Sequence, residues 1–428
     1  MSKLNVLVID GGGRGHVLAW KIAQSPMVDK VFAAPGNPGI AKFATCVPIN
    51  VTDIEALVKF VQENDIGLTV VGPEGPLDAG IVDAFQSAGL TIFGPRQSEV
   101  WLEMSKVRCK QLLQQHGIPT AKANICVSIG AVPAAIDLIG LPVVVKPDGG
   151  TEGKGVKICQ TKEEAMAHAR KIMVEHAYQT TGDSGNAVLI EECLVGREAS
   201  IIVLTDGNLF VELPTSEDHK PREDGDKGDM TGGMGAYSPS PAADELAEVI
   251  RRDIIQKLVD ACPGFTGVLY IALMITANGP KVLEVNVRFG DPEAQVVLPR
   301  VKTDLVPIFL QIAKADLQIT EIEVDEQPCV AVVSVSGCYP ASGYPKGKVI
   351  AGIEKAEARE NVLVFQAGTK DGEGDNEGKV VTNGGRVLAV SAMADDIPEA
   401  IKLAYEGTSD ISFEAQGFRT DIAQRPAA

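Results

Sequence analysis

Zinc-type ligand spacing is missing from this sequence. Its eight cysteines, at positions 46, 109, 126, 159, 193, 262, 329 and 338, contain no C-x-x-C pair and sit in no histidine-rich neighbourhood. Most lie in apolar stretches, where free cysteine behaves as a small hydrophobe. That argues against a zinc centre or a disulfide framework and for a reducing compartment. The five histidines form no H-E-x-x-H, so the zinc-protease pattern is absent as well. No apolar run approaches the roughly 20 residues of a membrane helix. The first strand starts at Leu4 with no signal-peptide pattern before it, and a cytoplasmic location is the expectation. Basic residues are scarce too: 39 Lys and Arg against 57 Asp and Glu give a net charge of -18. A nucleic acid or an anionic membrane is therefore a poor main partner. Anionic small molecules remain open, because a local cluster of lysines and arginines can outweigh the global field.

What is present describes an ordinary globular chain, with 45% hydrophobic residues. Its 428 residues are too many for one core and imply roughly two to four domains. Residues 1–102 alternate strand and helix, which predicts a parallel, Rossmann-like sheet with ligands at the C-terminal strand ends. The turn Gly11-Gly12-Gly13-Arg14-Gly15 invites a dinucleotide reading, but His16 falls where the third glycine belongs. The second strand also ends Ala33-Ala34-Pro35, without the expected acid. Backbone amides there can still hold a phosphate at a helix start. Residues 103–326 carry a small α/β unit (120–190) and long strands, with a Gly/Asp-rich loop predicted over Ser216–Ser238. Residues 327–428 read as a small α+β domain, with a hairpin predicted at Asn383-Gly384. Gly182-Asp183-Ser184-Gly185 mimics a serine-nucleophile turn but lies in a polar loop without partners.

Three stretches carry chemistry. In KVLEVNVRFGDPE (281–293), strand alternation turns Leu283, Val285 and Val287 towards a core and Glu284, Asn286 and Arg288 together to the other face. A carboxylate and an amide oxygen suit Mg2+, which takes one or two protein carboxylates plus phosphate oxygens. The guanidinium offers those phosphates a charged fork. The hairpin 143–158, with Lys146, Lys154 and four glycines, reads as a flap over phosphates. It is not a P-loop, since no Ser or Thr follows Lys154 and a strand comes next. The run Leu189–Glu198 reads as a strand entering a hinge, whose backbone can pair with an adenine edge. Glu198 is placed there to accept from ribose hydroxyls.

In this order the three pieces resemble the ATP-grasp superfamily. Together with GGGRGHVLAWKIAQSP, APGNPG, VGPEGPL, EDHK, TGGMGAYSP, RFGDPE and TNGGRVL, they resemble the phosphoribosylamine–glycine ligase family over essentially the whole chain. The resemblance implies an N-terminal pre-ATP-grasp domain, an ATP-grasp fold with a lid, and a C-terminal domain. It implies a ligase of purine synthesis that uses ATP and Mg2+, with Mn2+ possible, to join glycine to 5-phosphoribosylamine through an acyl phosphate. No nucleic-acid or membrane partner is expected, and a monomer or weak homodimer is. By the same resemblance Glu284 and Asn286 hold the metal, and Arg288 and Lys146 act on the transferring phosphoryl group. Lys106, Lys146, Lys154, Glu191, Cys193, Leu194 and Glu198 bind ATP. Asp218, His219, Lys220 and Gly233 line the acceptor site, while Gly11, Gly13, Glu74, Asp291 and Glu293 hold the phosphoribosylamine. One departure stands out: the family's first turn reads G-G-R-E-H, and Gly15 replaces the glutamate. A ligase of the same fold with a different amine substrate is the alternative this leaves open.

Overall fold

The computed structural model describes residues 3–149, 155–177 and 187–424. Lys154, Thr151 and Glu152 of the flap lie outside them, as does the Gly182–Gly185 turn. The first sheet is parallel, with order β3-β2-β1-β4-β5, built from β1 (Leu4–Asp10), β2 (Val28–Pro35), β3 (Thr45–Cys46), β4 (Ile66–Val71) and β5 (Ile92–Phe93). Its strands are apolar on both faces because both are covered: Val6 and Val8 enter one core cluster, Leu7 and Ile9 another. The turn after β1 leads straight into the helix Gly13–Ile22.

Two antiparallel sheets follow. The lid sheet, order β6-β9-β7-β8, comprises β6 (Ala123–Cys126), β7 (Val143–Pro147), β8 (Lys157–Cys159) and β9 (Val188–Glu192). The helices Val132–Ile139 and Lys162–Met173 share its core cluster. The central sheet, order β11-β10-β16-β17, comprises β10 (Arg197–Thr205), β11 (Phe210–Glu212), β16 (Gly267–Thr276) and β17 (Gly279–Asn286). A further sheet joins β12 (Glu217–Asp218), β15 (Gly235–Ser238), β18 (Cys329–Ser336), β22 (Arg386–Met393) and β19 (Val362–Gln366) in the order β12-β15-β18-β22-β19. The strand β23 (Gln416–Gly417) pairs with β18.

Three expectations need correction. The stretch Ser216–Ser238 is not an open loop: it holds β12, β15 and a small ribbon of β13 (Pro221–Glu223) with β14 (Lys227–Met230). Asn383-Gly384 does not close a hairpin. The strand before it, β21 (Val380–Thr382), pairs with β20 (Thr369–Asp371), whereas β22 pairs with β18 and β19. The amides of Asn383 and Gly384 instead donate to the Gly368 carbonyl at 2.7 and 3.1 Å. Finally, β17 is bulged: Leu273 faces Val282 and Ala272 faces Glu284, leaving Leu283 as the extra residue. Val282 therefore joins Val285 and Val287 in the core, and Leu283 is half-buried against the other cluster.

Asn37 joins the first sheet to the last. Its Nδ2 donates to the carbonyls of Gly11 (2.9 Å) and Gln366 (3.0 Å), and its Oδ1 accepts from Gly39 and Ile40. Beside it the buried His16 Nδ1 accepts from the Gln366 amide at 2.8 Å. Burial, then Lys42, lowers that histidine to about 3, so it stays neutral and keeps the acceptor. Replacing Asn37 with Ala removes a donor from the buried Gln366 carbonyl and the half-buried Gly11 carbonyl, and a loss of ~1–3 kcal/mol is expected in urea denaturation.

Candidate active site

The cleft lies where the lid sheet meets β17. Thr120 bridges to Val282 and donates its hydroxyl to the Val282 carbonyl at 2.8 Å, so the base of the lid is stitched to the metal-face strand. Lys106 opens the helix Lys106–Gln115 because Ser105 caps it, accepting from the Arg108 amide at 3.1 Å. Asp148 secures the same helix end by accepting from the Val107 amide and the Ser105 hydroxyl, both at 3.1 Å. Lys106 Nζ in turn donates to the Gly149 carbonyl at 2.8 Å, holding the near end of the flap.

Glu191 is buried, and its carboxylate lies between two lysines, Lys146 at 2.7 Å and Lys110 at 2.9 Å. Burial pushes its pKa up, but Lys146 and then Lys110 outweigh that and hold it below the ordinary carboxylate value. Its side chain is thus a strut beneath the lysines. The half-buried Cys193 and Leu194 follow directly after β9. Lys146 Nζ also reaches the Leu283 carbonyl at 3.5 Å. Burial works to lower this ammonium, and Glu191 more than reverses it.

Glu284 is the electrostatic centre. Its side chain keeps 40% of its exposure and lies 4.0 Å from Lys220 Nζ. Burial favours its protonation, yet Lys220, Lys106, Lys146 and Arg288 together bring its pKa down to about 2. Lys220 is raised well above its ordinary value, first by Asp218, with Tyr270, Glu198 and Glu284 adding to it against burial. Asn286 is buried, and its Oδ1 accepts from Arg288 Nη2 at 3.3 Å. Arg288 lies just beyond the end of β17, between Glu74 (3.3 Å) and Glu103 (3.0 Å). Glu103 also accepts from the Val287 amide at 2.9 Å. Neither Glu103 nor Lys110 was singled out by the sequence; a buried acid on a short helix carries no motif, and only the fold brings it to Arg288.

Beyond Arg288 the turn Asp291–Glu293 connects the cleft to a second site. Glu293 is buried and accepts from the Tyr270 hydroxyl at 2.8 Å. Gly233, at φ +120, packs so tightly on Pro292 that a Cβ there would overlap the proline ring. Asp291 accepts from the Arg14 amide (3.2 Å) and from Gln295 (2.9 Å) and lies 3.4 Å from Arg386. Burial is outweighed by Arg386 and then Arg14, which hold Asp291 below its ordinary value. A cavity of about 390 Å³ opens here, lined by the Gly11–Gly13 turn, Asp291, Gly368, Asn383 and Arg386 among others. The expected residues thus fall in two groups. Lys106, Lys146, Glu191, Glu198, Lys220, Glu284, Asn286 and Arg288 surround the cleft, and Gly11, Gly13 and Asp291 line the cavity. Glu74 bridges the groups through Arg288, while Asp218 and His219 are buried behind Lys220.

The structure gives Gly15 a physical reason. A Cβ at residue 15 would overlap the Asp10 side chain. That carboxylate accepts from the Gly12 amide at 2.6 Å and from Arg14 Nε at 3.1 Å. Asp10 therefore supplies an acid at this turn from the strand side, and it excludes a second one from the helix side.

A four-stranded lid sheet beside an antiparallel sheet whose strand end carries Glu284, Asn286 and Arg288 defines an ATP-grasp architecture. The solved biotin carboxylase domain of a Hydrogenobacter thermophilus 2-oxoglutarate carboxylase, in complex with MgADP, has the same fold. Its TM-score is 0.75 at 16% identity, over 97% of this chain and 92% of that one. A phosphoribosylamine–glycine ligase structure from Thermotoga maritima matches at TM-score 0.83 and 31% identity, over 98% of this chain and all of that one. Models of the phosphoribosylglycinamide synthetase N domain, ATP-grasp (A) domain and C domain match residues 4–103, 104–294 and 329–425. Phosphoribosylamine–glycine ligases from Rhodopirellula baltica and Yersinia pestis are 45% and 44% identical over 99% of this chain, covering 98% and 99% of their own lengths. The chain belongs to the phosphoribosylglycinamide synthetase family.

Replacing Lys110 with Met leaves Glu191 buried with one cation, Lys146, and losing one charged hydrogen bond costs ~1.5–3 kcal/mol. A fall of that order in denaturation and a raised KM for ATP are expected. Because the folded pKa of Glu191 is depressed, its contribution is fully present above the unfolded value of about 4.3 and fades as pH falls through the folded one. Lys110→Met should flatten that acid limb.

Proposed function

We propose that this chain joins glycine to 5-phosphoribosylamine at the expense of ATP, with the cleft holding ATP and glycine and the 390 Å³ cavity holding the phosphorylated amine. The observation that carries the reading is Glu284. Its side chain is 40% exposed and lies 4.0 Å from Lys220 Nζ, and the charges of Lys220, Lys106, Lys146 and Arg288 favour its carboxylate form. Among the described residues no group of three or more His, Cys, Asp or Glu forms a metal cage. Glu284 and Asn286 nevertheless fit Mg2+ (or Mn2+), a hard cation that takes few protein oxygens and completes its shell with phosphate oxygens and water. When bound, such an ion would neutralise phosphate charge and orient the γ-phosphate.

Within that site the protein's own groups do the remaining work. Lys106 and Lys146 face the phosphates, and Arg288 meets charge developing on the transferring phosphoryl group. These groups are already paired and need little reorganisation. The backbone after β9, at Cys193 and Leu194, meets the adenine edge, and Glu198 the ribose. A glycine carboxylate oxygen, drawn to Lys220, attacks the γ-phosphorus and ADP leaves. The amine then attacks the acyl carbon and phosphate departs, with one proton lost from nitrogen. Arg386, with the N-terminus of the helix Gly13–Ile22, supports a phosphate in the cavity, and Asp10 keeps an acid at this turn despite Gly15. Boundaries near residues 102 and 326, with 120–190 as the lid, belong to the same reading. So do a cytoplasmic setting and a monomer or weak homodimer; no helix among the described residues is long and apolar enough to span a membrane.

Glu284→Ala is expected to lower Mg2+-dependent ADP release with glycine and freshly made phosphoribosylamine by at least about 100-fold. Unchanged turnover would remove the metal assignment. Arg386→Ala should raise the KM for phosphoribosylamine by roughly 10–100-fold, the ~1.5–3 kcal/mol of a charged hydrogen bond. The KM for ATP should stay constant.

A further inference from the structure

Arg419 is among the largest fully buried side chains in the molecule, yet it lies near the end of the chain and outside both groups of site residues. A guanidinium is buried only where its donors are matched, and here the matching is directional. Nε and Nη2 donate to Asp421, each at 2.7 Å. Nη1 donates to the Pro221 carbonyl at 3.0 Å and to Asp226 at 2.9 Å. Pro221 directly follows Lys220.

Neighbouring bonds converge on the same run. The Ala423 amide donates to His219 Nε2 at 3.0 Å. The Thr420 amide donates to Asp224 at 2.8 Å, and Asp421 accepts from the Gly225 amide at 2.8 Å. The segment itself is anchored by Tyr405 on the helix Ile397–Asp410, whose hydroxyl donates to the Arg419 carbonyl (2.9 Å) and accepts from the Ile422 amide (3.0 Å). On the opposite side the Lys220 carbonyl accepts from the Thr231 amide (2.9 Å) and hydroxyl (2.6 Å), and the His219 carbonyl from the Met234 amide (2.8 Å). Lys220 is thus held by Thr231 at its own carbonyl and flanked by His219 and Pro221, which the C-terminal segment holds, while its ammonium extends to within 4.0 Å of Glu284.

We propose that the C-terminal segment 416–424 is a positioning strap for the acceptor carboxylate, acting through Arg419 on the backbone that aims Lys220. The proposal rests on the reading of Lys220 as the lysine that meets glycine. A tail serving stability alone has no reason to place its buried cation, a main-chain amide and an acid all on residues 219–226. Misplacing a substrate-orienting group by about 1 Å costs on the order of 100-fold in rate. Slackening the strap should therefore affect the glycine-dependent step and spare ATP binding.

The test is steady-state kinetics of the full chain with each substrate varied in turn, plus thermal melting, for Lys220→Met, Asp226→Asn and Arg419→Met. Asp226 is partly exposed, with 44% of its side chain accessible, so its variant keeps the fold if Arg419→Met does not. The expected result is a glycine KM raised at least about 10-fold in Lys220→Met, and 3–10-fold in Asp226→Asn and in any folded Arg419→Met. The KM for ATP should stay within about 2-fold. If Lys220→Met raises the glycine KM while Asp226→Asn and Arg419→Met lower only the melting temperature, the strap is merely structural and the proposal is overturned. If Lys220→Met itself leaves the glycine KM unchanged, the acceptor-site reading fails, and the strap's function with it.

Discussion

Five cations meet beside one cleft of a chain with net charge -18, four of them beside carboxylates and the fifth on a backbone carbonyl. Lys110 and Lys146 share Glu191, Arg288 lies between Glu74 and Glu103, Lys220 answers to Asp218, and Lys106 donates to the Gly149 carbonyl. Collecting unpaired ammonium groups in a partly dry site would lower their pKa values and cost several kcal/mol each. Pairing offsets that cost: at Lys146, Lys220 and Arg288 the carboxylates outweigh burial, at Lys106 and Lys110 burial still lowers the ammonium, and the partners fix where each group points. Electrostatic preorganisation of this kind is what phosphoryl transfer asks of a protein.

The turn Asp291–Glu293 ties the two sites together. Asp291 touches the first turn through the Arg14 amide and the last sheet through Arg386, Pro292 is packed on Gly233, and Glu293 is fixed by Tyr270 of the central sheet. In the proposed function, a phosphorylated amine in the cavity and a phosphoryl group in the cleft would be read by one element. Arg386 adds to this by donating to the carbonyls of Asp291 and Gly232 at 2.6 and 2.7 Å.

Much of this was legible in the sequence. Strand–helix alternation predicted the parallel sheet, and the E-x-N-x-R spacing put Glu284, Asn286 and Arg288 together, because strand periodicity is a local property. The bulge at Leu283 was not legible, since nothing in VLEVN marks which residue loses its partner. Asn383-Gly384 carried a hairpin signal that the Gly368 contact overrides. Glu103, Lys110 and Arg419 were invisible for a related reason: each is a charged residue without a motif, and a distant segment supplies at least one of its partners. Gly15 looked like a lost acid until the Asp10 side chain was found filling its space.

The central claim is that Glu284 and Asn286 hold the divalent ion against the nucleotide's phosphates. Anomalous diffraction from crystals grown with Mn2+ and a non-hydrolysable ATP analogue tests it directly. A manganese peak within coordination distance, about 2.0–2.3 Å, of a Glu284 carboxylate oxygen and the Asn286 Oδ1 is the expected result. Manganese bound instead at Asp291 and Glu293, with Glu284 left facing lysines alone, would contradict it.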